Sequence, residues 1–216
     1  MTRTVERSSA EFERTIAELL QAPAETIRMR SHGSTIAAVL IPIYVTEDDL
    51  VTVLTRRHTD LRRHAGEISF PGGRRDTGED LRQTALREAE EEIALPREAV
   101  ELIGALPPTS TFVTNYCVYP FVGMIDAELE LVANPAEVDA VVELGLRELA
   151  AGYERKRLVR RGVPIKTDTY TVGEDLIWGA TARILGMLIQ RLEPLLDLPG
   201  RPRPPDAGPR NTDDQP

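Results

Sequence analysis

Cysteine, long apolar runs and positive charge are all scarce in this sequence, and each scarcity excludes a class of protein. Cys117 is the only cysteine, so an internal disulfide is impossible and a reducing compartment is favoured. No apolar run reaches the roughly eighteen residues of a membrane span, and the polar start lacks the apolar core of a secretory signal. We therefore expect a cytoplasmic protein with no membrane partner, and a buried Cys117.

The charge balance of the chain is acidic, with 26 lysines and arginines against 35 aspartates and glutamates, a net charge of -9. A protein that binds a nucleic-acid backbone needs a basic face, so a nucleic-acid partner is disfavoured. One segment reverses the sign: residues 56–64 read RRHTDLRRH, with four arginines and two histidines in nine positions. This acidic chain therefore concentrates positive charge at one place.

The order of predicted elements indicates one main domain. Helices are predicted at residues 9–21, 80–93, 147–151 and 180–196, and strands at 35–45, 50–55, 66–73, 100–106, 116–125, 138–146 and 163–172. Because they do not alternate regularly, we expect an α/β (α+β) fold with a mixed sheet flanked by helices. The domain prediction is an N-terminal helical extension (1–34), a main domain (35–196) and a Pro-rich tail (197–216) that is too polar to order itself.

The most informative segment is residues 73–95, which read GRRDTGEDLRQTALREAEEEIAL. An apolar stripe with a four-residue spacing predicts a helix and is formed by Leu81, Ala85, Ala89 and Ile93. Asp76 or Thr77 is the expected N-cap, and Asp80 is favourably placed in the first turn.

The acidic residues of this helix lie beside its apolar stripe. At about 100° per residue, Glu88 and Glu92 fall within about 20° of Leu81, and Glu91 lies about 80° to one side. Glu90, at about 180°, points away. Carboxylates next to a buried face repel one another and lose hydration, and a divalent cation compensates both costs. The spacing suits Mg²⁺ or Mn²⁺, whereas a solvated acidic patch is the alternative.

The segment resembles the Nudix box, the signature of the Nudix hydrolase superfamily. The matching positions are Gly73, Glu79 and Arg87-Glu88-Ala89-Glu90-Glu91-Glu92. The resemblance implies a Nudix-type α/β/α sandwich for the main domain. It also implies that Glu88, Glu91 and Glu92 bind the metal ion, and that Arg87 and Glu79 form a buried pair that orients loop and helix.

One position departs from the signature. Ala94 stands where the family usually has the glycine that terminates the helix. The C-cap geometry therefore stays open, while the metal ligands are unaffected. Pro96 is expected to stop the helix.

The sequence before the box resembles the motif of the coenzyme A pyrophosphatase branch of the superfamily. Residues 53–73 read VLTRRHTDLRRHAGEISFPGG, and the matching positions are Leu54, Thr55, Arg57, Arg62, Gly66 and Phe70-Pro71-Gly72-Gly73. Val53 replaces the usual leucine, and His58 replaces a small residue. In all, the resemblance covers about residues 35–192.

The branch resemblance implies metal-dependent hydrolysis of coenzyme A, with acyl-coenzyme A as a further substrate, to 3′,5′-ADP and 4′-phosphopantetheine. Arginine binds phosphate through a planar donor fork. The residues expected to bind substrate are Arg57, Arg62, Gly72 and Gly73. Arg56 and Arg63 are explained equally well as neutralising surface acids. For His58 and His64, an ordinary loop histidine is the simpler interpretation than a phosphate contact.

The general base has two predicted sources. We expect a glutamate of the box, Glu92, to serve. Superfamily members also use a distant loop, where the candidates are Glu137, Asp139 and Glu143, although Ala140 occupies the usual acidic place.

Three alternative functions remain open on the sequence. The first is the same chemistry on another nucleoside diphosphate derivative, such as ADP-ribose, a dinucleotide or an oxidised nucleotide. The second is a non-catalytic Nudix sensor, against which the retained metal carboxylates argue. The third is processing of RNA ends, which the acidic net charge disfavours. A monomer and a homodimer both fit.

Overall fold

The structure, a computed structural model, describes residues 9–29, 31–58, 66–111, 115–160 and 163–196. Its helices are Ser9–Leu19 (α1), Pro23–Arg28 (α2), Leu81–Ile93 (α3), Leu146–Ala151 (α4) and Gly179–Leu196 (α5), with a 3-10 turn at Arg97–Ala99. Its strands are Thr35–Val45 (β1), Leu50–Arg57 (β2), Ile68–Ser69 (β3), Gly72–Arg74 (β4), Glu101–Ala105 (β5), Thr109–Ser110 (β6), Tyr116–Met124 (β7), Val138–Gly145 (β8), Tyr153–Arg160 (β9), Val163–Val172 (β10) and Asp175–Trp178 (β11). Arg62, Arg63, His64 and the tail 197–216 lie outside the described residues.

The centre of the fold is a mixed sheet with the strand order β3-β2-β1-β7-β5. Strand β8 pairs with β2, β4 with β1, and β6 with β7. The β1–β7 pair is parallel and the others are antiparallel. One hydrophobic cluster contains α3, and the other contains residues of α1, α4 and α5. The predicted α/β/α arrangement is therefore confirmed.

Strand β1 is buried on both of its faces, which explains its continuous apolar sequence. Ala38 and Leu40 belong to the cluster that contains α3. Ala37, Ile41 and Ile43 belong to the opposite cluster. The alternation follows from the two-residue period of a strand, and it fixes α3 against the middle of the sheet.

The predicted spans of β1 and β10 are confirmed, whereas the single strand predicted at residues 66–73 is wrong. Two short strands, β3 and β4, lie on either side of Phe70 and Pro71. Gly72, with φ 157°, carries the chain so close to β1 that a Cβ would overlap the Ala38 carbonyl. Helix α2 was not predicted either. Pro23 does follow the end of α1, but it also begins α2, where its missing N–H is not needed.

A second, three-stranded antiparallel sheet has the order β11-β10-β9. It meets the first sheet where Arg56 Nη2 donates to Asp175 Oδ1 at 2.7 Å. Strand β9 was not predicted, because its sequence YERKRLVR is mostly charged and the strand forms the edge of this sheet.

The N-terminal helices pack onto the main domain. Ile16 is fully buried, and Gln21 exchanges two backbone hydrogen bonds with Ala105 at 3.1 and 2.9 Å. Cys117 is buried, as expected. None of the helices in the described part of the chain combines the length and the hydropathy that crossing a bilayer requires.

Candidate active site

Asp80, rather than Asp76 or Thr77, caps the N-terminus of α3. Its Oδ1 accepts from Arg82 N at 2.9 Å, and its own N–H donates to Gln83 Oε1 at 3.3 Å, which together form a capping box. The prediction was wrong because the earlier residues form a separate turn. In that turn, Glu79 N donates to Asp76 O at 3.2 Å.

The same turn directs Glu79 toward the helix. Arg87 donates from Nε to Glu79 Oε1 at 2.9 Å and from Nη2 to Glu79 Oε2 at 3.2 Å. Thr84 Oγ1 also donates to this carboxylate, at 2.8 Å. The hydrogen bond from Arg87 is the largest cause that lowers the pKa of Glu79, to about 2. Loop and helix are therefore joined by a two-point ion pair between side chains that are 14% and 18% exposed.

Arg87 also holds two of the box carboxylates. Its Nη1 donates to Glu88 Oε1 at 2.9 Å and to Glu91 Oε2 at 3.0 Å. Its remaining Nη2 donor reaches Arg74 O at 3.3 Å. All five N–H donors of the guanidinium are thus used, a set that a lysine cannot reproduce.

The four box glutamates differ in burial largely as their positions on the helix predict. Glu90 is 44% exposed and pairs with Arg97 at 2.7 Å, so it points away from the site. Glu92 is buried, with 4% exposure, and the Glu88 side chain is 14% exposed. Glu91 is 47% exposed, and therefore lies at the rim rather than beside the buried face.

Glu92 is the most strongly perturbed carboxylate of the site. Burial raises its pKa to about 8, and the negative charges of Glu88 and Glu137 add to the rise. The positive charge of Arg57 and a 3.3 Å hydrogen bond from Gly72 N act in the opposite direction. Burial is also the main cause that raises the pKa of Glu88. Burial therefore disfavours the charged form of two carboxylates of the site.

Two glycines bring the β4 backbone against these carboxylates. Gly72 supplies the N–H that reaches Glu92. At Gly73, a Cβ would overlap the Glu88 carboxylate. The sequence places glycine here because the backbone and the acids occupy the space of a side chain.

Arg57 lies at the end of β2, opposite Val138 of β8. Its Nε is buried and has no hydrogen-bond partner among the described residues. The next residue, His58, donates from its backbone N–H to Glu137 O at 3.4 Å, and its Nε2 lies 3.4 Å from Asp139. His58 is therefore paired with a carboxylate beside Arg57, while Arg62 and His64 lie outside the described residues.

The C-terminus of α3 is closed by Ala94 and by the segment 132–134. Ala94 adopts the left-handed conformation, with φ 53°, that the family's usual glycine would favour, and its N–H bonds to Ala89 O and Glu90 O. Val132 N donates to Ile93 O at 3.0 Å. Asn134 donates to the other two terminal carbonyls, from N to Glu92 at 2.9 Å and from Nδ2 to Glu91 at 3.1 Å. The helix thus ends as the signature requires, without the glycine.

A divalent cation fits the chemistry of this donor set. Within the described residues, no three metal-binding side chains already converge, since Glu88 and Glu91 turn to Arg87 and Glu92 turns to Gly72. However, Glu88 shares the single charge of Arg87 with Glu79 and Glu91, and Glu92 accepts only a backbone N–H from Gly72. Carboxylate oxygens are the ligands that hard cations prefer. Glu91, 47% exposed and bonded to Arg87, is the third carboxylate of this set.

The structure brings most of the predicted site residues together and adds one that was missed. Seven predicted residues form one continuous site around the N-terminal loop and inner face of α3: Gly72, Gly73, Glu79, Arg87, Glu88, Glu91 and Glu92. Among the distant candidates, Glu137 influences this site, whereas Glu143 pairs with Tyr44 and Asp139 with His58. Asn134 was missed, although its Asn-Pro dipeptide is a turn signal.

Comparison with known proteins places this arrangement in a defined class. The model of the NUDIX domain matches residues 34–162. A MutT/nudix family protein from Enterococcus faecalis has the same fold, with a TM-score of 0.54 at 16% identity over 87% of this chain and 75% of that one. The M. smegmatis Nudix hydrolase RenU has a TM-score of 0.50 at 15% identity, over 80% of this chain and all (100%) of that one.

Sequence relatives give the family directly. The chain is 38% identical to the uncharacterized Nudix hydrolase NudL of Photorhabdus laumondii over 81% of its own length and 93% of the relative. It is 44% identical to the NudL of Escherichia coli, over 69% and 78% of the two chains. The chain belongs to the Nudix hydrolase family. Nudix hydrolases generally use divalent metal ions, and membership supports pyrophosphatase activity on a small-molecule substrate.

Proposed function

We propose that this Nudix hydrolase cleaves the diphosphate linkage of coenzyme A, releasing 3′,5′-ADP and 4′-phosphopantetheine. The observation that carries the proposal is the environment of the Arg57 side chain. Arg57 is partly exposed, but its Nε is buried and has no partner among the described residues, and its positive charge opposes the burial that raises the pKa of Glu92. A buried donor without an acceptor is costly, and a phosphate oxygen is the acceptor that best suits it.

The substrate explains why a second arginine is needed in addition to Arg87. The five donors of Arg87 are already used by the protein, so it positions the acids and leaves none for the substrate. Arg57 has a donor to offer, and the adjacent residues 58–64 contain two more arginines. Coenzyme A carries three phosphates in two places, which matches several arginines better than one.

The proposed ligands of the metal ion are Glu88, Glu91 and Glu92, with Mg²⁺ or Mn²⁺ as the ion. When bound, the ion would supply Lewis acidity, neutralising charge on the diphosphate oxygens and lowering the pKa of the attacking water. Glu92 is our proposed general base. Arg87 and Glu79 hold the helix and its loop in one geometry, and Arg57 orients the substrate phosphates.

The test is a comparison of Arg57→Lys with its neighbour Arg56→Lys. Lysine keeps the charge and loses the planar fork. We expect Arg57→Lys to raise the KM for coenzyme A at least about tenfold, the size of one charge-assisted hydrogen bond. Arg56→Lys, whose arginine is bonded to Asp175, should stay within about twofold of the wild type.

The substrate assignment is decided by kcat/KM values measured in parallel for coenzyme A, acyl-coenzyme A, ADP-ribose, NADH and oxidised dGTP. Preference for coenzyme A or its thioesters supports the proposal. Preference for another diphosphate would be consistent with the proposed hydrolysis but would exclude coenzyme A as the main substrate. Binding of metal ion without turnover of any compound would favour the sensor function.

A further inference from the structure

The pairing of β2 with β8 contains a β-bulge where β2 reaches the candidate active site. Arg56 lies opposite Ala140, and the next residue of β2, Arg57, lies opposite Val138. Asp139 is therefore an extra residue that no residue of β2 faces. A bulge bends its strand and increases the local twist, and bulges are frequent beside active sites, where they redirect a side chain. The direction in which Arg57 leaves β2 therefore depends on how Asp139 is accommodated.

The residue that contacts the bulge is His58, which follows Arg57 directly. His58 Nε2 lies 3.4 Å from Asp139 Oδ1, and the backbone N–H of His58 donates to Glu137 O, also at 3.4 Å. The two side chains are 32% and 29% exposed, so water screens the contact only in part. The small residue that is usual at this position of the branch motif could not reach Asp139. The contact therefore accounts for the departure of His58 from that motif.

The backbone of Arg57 is held by the segment that leads into β3. Its N–H donates to Glu67 O and its carbonyl accepts from Gly66 N, both at 3.1 Å. Residues 57 and 58 are thus held between this segment and the start of β8. Because Arg57 Nε is buried and has no partner among the described residues, no protein acceptor orients that part of the guanidinium. Its orientation depends instead on the backbone at residues 57 and 58.

We propose that His58 and Asp139 are positioning residues: the Nε2 donor of His58 fixes the bulge, so that the Arg57 guanidinium is aimed at the substrate phosphates. The inference rests on the proposed function, which assigns these phosphates to Arg57. Neither side chain of the pair is a proposed metal ligand or contacts one in the described residues. Loss of the contact should therefore weaken substrate binding, which raises KM, and leave kcat nearly unchanged.

The first experiment is a double-mutant cycle in the full chain with coenzyme A and Mg²⁺. We expect His58→Ala and Asp139→Ala each to raise KM about three- to fivefold with kcat within about twofold, the size of one partly exposed charged contact. Because the two residues act as one unit, the double variant should be no worse than either single variant. His32→Ala, which replaces an exposed histidine, is the matched control and should leave KM unchanged. Effects that multiply in the double variant would overturn the proposal.

The second experiment asks whether His58 acts through Arg57. In an Arg57→Lys background, which has already lost the planar fork, His58→Ala should raise KM by less than about twofold. In an Arg56→Lys background it should keep its full effect, because Arg56 is bonded to Asp175. His58→Gln, whose amide retains a donor at a similar reach, should restore KM to within about twofold of the wild type. Equal effects in both backgrounds, or a KM of His58→Gln as high as that of His58→Ala, would contradict the proposal.

A readout that needs no catalysis completes the test. In the metal-free protein, amide hydrogen exchange at Arg57 and Gly66 should become faster in both His58→Ala and Asp139→Ala and stay unchanged in His32→Ala. Unchanged exchange in the first two variants would refute the positioning role. If the wild type does not hydrolyse coenzyme A, the proposed function has failed, and the exchange experiment still decides whether the pair fixes the backbone at Arg57.

Discussion

Arg87 and Glu92 are the two side chains that determine how the acid cluster is arranged and charged. Arg87 connects the loop before α3 to two carboxylates on it, through every donor that a guanidinium has. Glu92 has a different environment, buried against β4 with one backbone N–H as its contact there. The charge of Arg87 is fully compensated by its acceptors, whereas the charge of Glu92 is not. We therefore expect replacement of Arg87 to impair the protein and neutralisation of Glu92 to stabilise it.

We predict that Arg87→Lys lowers kcat/KM by roughly 10- to 100-fold, the range found when a group that orients metal ligands is removed. Lysine keeps the charge but cannot reach Glu79, Glu88 and Glu91 together. Arg97→Lys is the control, because Arg97 makes a single surface pair with Glu90. Steady-state kinetics and Tm should be measured on both. Equal activity of the two variants would show that the donor geometry of Arg87 is unimportant.

Because Glu92 is buried, its charge is expected to lower the free energy of unfolding of the metal-free protein in a pH-dependent way. The pKa of Glu92 is about 8 in the folded state, against 4.5 for the ordinary group. The folded protein therefore favours the protonated acid, and stability falls as the pH rises from about 4.5 to about 8. Glu92→Gln should remove this loss, so its stability gain should be small at pH 5 and on the order of 4 kcal/mol at pH 8.

This prediction is checked by urea unfolding in the presence of a chelator at several pH values. Glu90→Gln is the matched control, because Glu90 is exposed on the same helix. Addition of Mg²⁺ should stabilise the wild type and narrow the gap to Glu92→Gln, while the variant should have lost turnover. A gap that does not change with pH would contradict the assigned burial of the charge.

At the scale of elements, the ends of α3 were harder to predict than its faces. The burial of Glu88 and Glu92 and the exposure of Glu90 follow from a period of 3.6 residues, which the sequence alone contains. The N-cap residue does not follow from this period, because the turn that joins Asp76 to Glu79 competes with capping by Asp76 or Thr77. The C-terminus depends on Asn134, forty residues or so further along, and no local pattern connects the two.

Helix α3 ends in a residue that is not suited to its conformation, which gives a prediction for Ala94. A left-handed conformation costs a non-glycine residue about 1–2 kcal/mol, partly offset by the greater unfolded-state entropy of glycine. We therefore expect Ala94→Gly to stabilise the protein by about 1 kcal/mol, raising Tm by about 2–4 °C. Calorimetry measures this shift directly. A lower Tm would mean that the alanine methyl makes contacts worth more than the strain.

The strands also differ in how far they can be predicted from the sequence. Strands buried on both faces, such as β1, are visible in the sequence as continuous apolar runs. Strand β9 is visible only once it is paired, since its register with β10 places Arg157 opposite Lys166 and its sequence carries almost no apolar period. The short strands β3 and β4 depend on the close approach of Gly72 to β1, a tertiary contact.

At the scale of the whole molecule, an acidic protein with a net charge of -9 is proposed to bind a polyanionic substrate. The repulsion expected between an acidic protein and an anionic substrate is offset by the arrangement of charges at the site. The helix that carries the acids has its inner face against the sheet, and the end of β2 brings Arg57 to the same place. The two sheets join close by, through Arg56 and Asp175, so the second sheet adjoins the site rather than forming a separate unit. Fold and acid cluster could be predicted from the sequence, whereas the substrate could only be inferred through a resemblance.

The most direct test of the central claim is the product analysis of one reaction, purified full-length protein with coenzyme A and Mg²⁺ or Mn²⁺. The proposed function predicts 3′,5′-ADP and 4′-phosphopantetheine in equal amounts, in a reaction that a chelator stops and that Glu92→Gln does not support. Intact coenzyme A under conditions in which the same preparation hydrolyses another nucleoside diphosphate would contradict the assignment of Arg57 and its neighbours to this substrate.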